Sequence, residues 1–187
     1  MNDPSYSAFA GDRLVASGSL EQMLRQSKAY LDRGADRGVL IFEDESGRQV
    51  DFDFRGSPDE VVARAVAKPA PGVGRPRLGV ISREVSLLPQ HWEWLEEQPN
   101  GISATLRRLV DAARKRDPAK ERARRARDAA SRFMTAMAGD RPGYEEAARA
   151  LFAGDADRFA QLVRRWPRDV REHLVRVASD AFERSAT

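Results

Sequence analysis

The 187-residue sequence predicts an α+β fold in which sheet and helices are segregated along the chain. Three observations carry that expectation. Strand and helix signals alternate over the first 66 residues; residues 67–78, AKPAPGVGRPRL, hold three prolines and two glycines; and from Pro89 onward the apolar residues recur at spacings of three and four. The expected order is an N-terminal ββαββα unit (1–66), a Pro/Gly linker (67–78), a central strand-helix-helix segment (79–116) and a small C-terminal helical bundle (117–187).

Within the first unit, Ser7–Ala10 and Arg13–Ala16 flank a Gly11-Asp12 turn and form a hairpin. Ser19 caps a helix whose face is Leu20, Met23, Leu24 and Leu31, with Gln22 placed to complete a capping box and Gly34 as the stop. A second hairpin pairs Gly38–Glu43, an apolar run, with Arg48–Phe54, where Val50, Phe52 and Phe54 alternate inward against Asp51 and Asp53. Asp44-Glu45-Ser46-Gly47 turns between them. Ser57-Pro58-Asp59-Glu60 then starts the second helix, with Ser57 as cap, Pro58 at the first position and Glu60 reaching back.

The linker composition resists helix and cannot fill a core. After it, Arg83–Leu88 reads as a short strand, Pro89 opens a helix with inner face Trp92 and Leu95, Asn100-Gly101 turns, and Ser103 caps a helix carrying Leu106, Leu109, Val110 and Ala113. A lone strand leaves a row of backbone donors and acceptors unpaired. The simplest remedy is the same strand of a second copy.

Asp117-Pro118 begins a long helix with the stripe Ala123, Ala126, Ala130, Phe133, Met134 and Met137, ended by Gly139. Three shorter helices follow at about 142–152, 155–166 (capped by Asp155) and 167–182. Leu151, Phe152, Phe159, Leu162, Val163, Trp166, Val170, Leu174, Val177 and Phe182 are their expected core.

The central pattern, above all GISATLRRLV, resembles the ribbon-helix-helix family of dimeric bacterial DNA-binding proteins. That resemblance implies a paired ribbon that reads bases and a second-helix N-terminus that holds a phosphate. It places Glu84 or Arg83, depending on strand phase, and Ser86 on the ribbon, Ser103 and Ala104 at the phosphate, and Val85, Leu87, Leu88 and Trp92 in the dimer interface. Arg107 lies on the second helix, and Arg114, Lys115, Arg116, Arg122 and Arg125 supply further phosphate contacts. Two features depart from the family: the first helix is about a turn short, and Glu84 on the ribbon would repel phosphate. A wider resemblance, in FAGDRLVASG, VDFDFRG, GRPRLGVISREVSLLPQHWEWL, GISATLRRLVDAAR and ALFAGDADRF, is to a bacterial domain-of-unknown-function family, and it implies no activity.

Other motifs point away from catalysis. Gly72-Val73-Gly74 lacks the third glycine of a phosphate loop, and Pro76 follows it. The acidic hairpin Glu43, Asp44, Glu45, Asp51 and Asp53 does not match a calcium loop. His91 and His173 stand in separate segments, read as an interface residue and a helix-face residue, and no GxSxG elbow occurs. No metal, cofactor or enzyme activity is expected.

With no cysteine, 33% charged residues, no apolar run of membrane length and no basic-then-apolar leader, the chain is expected to be cytoplasmic. The net charge of +3 is uneven: residues 1–66 carry eight cations to twelve carboxylates, residues 67–78 three to none, and residues 114–132 nine to three. The expected function is therefore a homodimeric DNA-binding protein of the transcription-regulator kind, with double-stranded DNA and a second copy as partners. The alternative is a non-enzymatic assembly protein that binds another protein and no nucleic acid.

Overall fold

A computed structural model describes residues 4–34, 38–66 and 83–182. The expected linker at 67–78 lies outside them. In chain order the elements are β1 (Ser5–Ala10), β2 (Arg13–Ser19), α1 (Leu20–Asp32), β3 (Leu40–Glu43), β4 (Arg48–Val50), α2 (Pro58–Val66), α3 (Pro89–Glu96), α4 (Gly101–Arg116), α5 (Pro118–Ala138), α6 (Tyr144–Ala153), α7 (Ala156–Val163) and α8 (Arg168–Val177), closed by a 3-10 turn at Ser179–Phe182. The chain forms two units, Met1–Ala67 with Ala119–Thr187, and Lys68–Pro118. The fold class is α+β.

In the first unit the four strands make one antiparallel sheet in the order β2-β1-β3-β4. Gly11, at φ +57°, closes the first hairpin. Ser19 caps α1 through a complete capping box with Gln22. Ser57 and Glu60 reproduce the reciprocal pair at α2, where the Ser57 amide donates to Glu60 Oε2 at 2.7 Å. β4 is shorter than its sequence pattern suggests. Beyond Val50, Asp53 accepts from the Arg55 amide at 3.0 Å and from the Arg55 guanidinium, and this local turn competes with the ladder. Phe52 and Phe54 still pack inward, half-buried.

The sheet is covered on both faces. Ala8, Ala16 and Ile41 meet Met23 and Leu24 of α1 and Val61 of α2 on one side. On the other, Phe9 and Phe42 point into the helices of the second half, against Phe133 at 5.4 and 5.0 Å between ring centroids. A single core therefore joins both ends of the chain. Gly47, buried at φ +64° in the β3–β4 turn, lies so close to the α5 backbone that a Cβ there would stand 2.1 Å from the Ala129 carbonyl oxygen.

The helical half follows its predicted stripe, with Ala123, Ala130, Phe133, Met134 and Met137 buried along α5. Asp155 caps α7 by accepting the Arg158 amide at 3.0 Å. α7 ends at Val163, short of the expected 166, since Trp166 turns in to donate from Nε1 to the Pro142 carbonyl and Pro167 starts the next element. The expected helix at 167–182 stops at Val177 and tightens into the 3-10 turn. Phe152, expected in the core, is 56% exposed on the outer face of α6.

In the second unit α3 and α4 form a helical hairpin that buries Leu95 and Thr105. Pro89 occupies the first position of α3, as expected. Two details correct the sequence reading. α4 begins at Gly101, so Ser103 lies inside the first turn and caps nothing. Residues 83–88, expected as a strand, form neither a helix nor a ladder strand with any described residue.

Candidate functional site

The residues expected at a dimer and DNA interface divide between the two units. In the second unit Arg83 and Ser86 are exposed, Leu87 and Trp92 half-buried, and Val85 and Leu88 are 55% and 58% exposed. Trp94 is exposed beside them. On α4 the expected inner face is only partly covered: Leu106 is half-buried, Leu109 and Val110 face solvent, and Thr105 is buried. Ser103 and Arg107 are exposed and Ala104 is half-buried. Arg114, Lys115 and Arg116 crowd the last turn, where they complement the helix dipole, and carry no ion pair among the described residues.

Arg122 and Arg125 sit on α5 in the first unit. Arg122 is exposed, whereas Arg125 Nε donates to Glu121 at 3.0 Å and Arg124 grips both Glu121 and Asp128. Hydrogen bonds from Arg124 and then Arg125 pull the Glu121 carboxyl down to about 2. Two further arginines of this helix fasten the unit: Arg132 donates to the Ser46 carbonyl at 2.7 Å and Arg127 to the Ala181 carbonyl at 3.5 Å. Much of the basic α5 run is thus committed inside the protein.

Sequence reasoning missed a buried charged cluster. Asp44, at the end of β3, and His173, on α8, are both buried, the histidine against Phe133 and Phe9 at 4.3 and 5.2 Å. His173, read from the sequence as a helix-face residue, lies on the buried face of α8. Asp44 Oδ2 accepts from Ser5 Oγ at 2.8 Å and from Arg176 at 3.2 Å. Arg176 also stands 2.9 Å from His173 Nδ1, while His173 Nε2 and Asp44 Oδ1 face each other at 3.8 Å. Desolvation by burial pushes the imidazole down to about 4, opposed by the Asp44 charge, so at neutral pH the ring is uncharged. With Arg176 donating to Nδ1, the proton resides on Nε2. No hydroxyl bonds to the histidine, and the cluster's evident work is to tie the sheet to α8. Ser5 and Asp44 lie more than a hundred residues from His173 and Arg176, so only the rarity of histidine in the sequence marked the cluster.

Among the described residues no group of three or more acidic or histidine side chains is arranged to hold a metal ion. No helix there is long and apolar enough to cross a membrane. Compared with known families, residues 5–178 match the one described as "Uncharacterized protein conserved in bacteria (DUF2239)". No curated protein and no solved structure matches the chain.

Proposed function

Since the chain belongs to this bacterial family, whose description assigns no activity, we propose from its own residues that it is a homodimeric assembly protein with 83–118 as the self-association module. One observation carries the reading. Residues 83–88 have no ladder partner among the described residues and present Val85 and Leu88 to solvent, and the apolar pair Leu109 and Val110 of α4 is equally uncovered. A second copy is the occupant that fits. It brings an identical segment to pair with, and the acidic residues at the end of α3 (Glu93, Glu96) and just after it (Glu97) are complementary in charge to the basic ones of α4 (Arg107, Arg108, Arg114, Lys115, Arg116). Light scattering of the full chain at tens of micromolar tests this. The expected mass is twice 20.9 kDa, falling to the single value in Val85→Asp/Leu88→Asp. A monomeric parent chain would overturn it.

A second reading adds double-stranded DNA as the partner of that dimer, as in a transcription regulator. It is favoured by the cations of α4, which carry no ion pair among the described residues. Fluorescence anisotropy against a mixed-sequence duplex separates the two. DNA binding that weakens steeply between low and moderate salt, and is lost in Arg107→Gln/Arg114→Gln, supports the regulator; no binding at low salt leaves the assembly reading alone.

A further inference from the structure

The first unit holds a cavity of about 620 Å³ where α6 opens and α7 closes, lined by Arg141, Pro142, Leu162, Arg164, Arg165 and Trp166. That volume lies within the range of small-molecule sites. Gly143 and Gln161 complete the lining, and no carboxylate belongs to it. Arg141 spends one N–H on Asp12 at 2.5 Å, while its Nε is buried without an acceptor. Arg164 and Arg165 are exposed and carry no ion pair among the described residues. The main chain beneath them is pinned, since Arg171 donates to the Arg164 carbonyl at 3.0 Å. Three guanidiniums gathered at one mouth repel one another and favour an anion between them. The N-terminus of α6 is not the attraction, as Glu145 and Glu146 occupy its first turn.

Apart from Gln161, the rest of the wall is apolar. Trp166 is buried and its Nε1 is committed to the Pro142 carbonyl at 3.2 Å, so it offers ring surface and no donor. Leu162 and Pro142 extend that surface. A bare ion would leave it unused. A carboxylate offers two oxygens, whereas a phosphate monoester offers three terminal ones, one for each guanidinium. We infer that this cavity binds a small organic phosphate whose ring-sized apolar body lies against Leu162 and Trp166 while its phosphate is held by Arg141, Arg164 and Arg165. The inference stands apart from the proposed self-association.

Isothermal titration calorimetry of the full chain with AMP, phenyl phosphate and inorganic phosphate tests it. At least one of the two organic phosphates should saturate below the millimolar range and bind about tenfold or more tighter than inorganic phosphate. Arg164→Gln/Arg165→Gln should weaken that binding by about tenfold or more, with the urea midpoint unchanged because both side chains are exposed. No saturation by either organic phosphate would overturn the inference. So would binding that the double variant leaves intact, or inorganic phosphate binding as tightly.

Discussion

Replacing Gly47 with alanine puts the joint between the sheet and α5 under direct load. The residue sits at φ +64°, a region where a Cβ costs about 1 kcal/mol. The added carbon would lie 2.1 Å from the Ala129 carbonyl oxygen and 2.7 Å from its carbonyl carbon and Cα. Backbone cannot yield as a side chain tip does, so the β3–β4 turn must lift from the helix, and forced overpacking of this kind costs roughly 1–3 kcal/mol more. The total expected loss is about 2–4 kcal/mol. Gly154 is the control: its φ is +71° and nothing lies within 4 Å of its Cβ position, so Gly154→Ala should lose only the conformational part, about 1 kcal/mol. Urea unfolding of the three full-length proteins, followed by far-UV circular dichroism, reads the difference as a shift in midpoint at constant slope. Equal losses in the two variants, or a Gly47→Ala midpoint matching the parent, would refute the seating of this turn on α5.

Two more perturbations address the same core. The His173 imidazole titrates near 4 in the folded chain and near 6.5 when unfolded, so the unfolded chain takes the proton first as pH falls. Its contribution, about 3 kcal/mol at most, is complete above pH 6.5 and is lost on acidification toward pH 4; urea midpoints across that window should fall in the parent and much less in His173→Gln. Phe133→Ala removes the ring that meets Phe9, Phe42 and His173, and should cost about 3–5 kcal/mol by the same assay; a loss under about 1 kcal/mol would mean that the two halves of the chain do not share a core.

Local signals in this sequence translate directly into structure. The Ser19–Gln22 and Ser57–Glu60 boxes, the Asp155 cap and the α5 stripe each rest on residues within one or a few turns of one another, and each is realised. What escapes is contact across the chain. The unbroken run Val39, Leu40, Ile41 and Phe42 is the pattern of a strand buried on both faces, yet it also suits a one-sided hairpin, and nothing local says that Phe42 meets Phe133. Asp44, His173 and Arg176 come together only because the sheet packs on α8, so their spacing carries no signal. At the other extreme, the apolar face assigned to α4 is present in the sequence but only Leu106 of it is half-buried, and Leu109 and Val110 remain outside. The arginines of α5 mislead in the opposite direction, because a cationic run looks the same whether it faces phosphate or its own carboxylates and carbonyls.

The sequence contains no cysteine, which allows self-association through 83–88 to be probed by single cysteines placed in turn at Glu84, Val85, Ser86 and Leu87, with Gln161→Cys as the control. Residues paired across a two-fold ribbon bring their Cα atoms within the 4.4–6.8 Å or so that a disulfide spans. Under mild oxidation the account predicts a covalent dimer at one or two of the four positions and none at 161. Equal cross-linking at 161, or none across the whole segment, would contradict it.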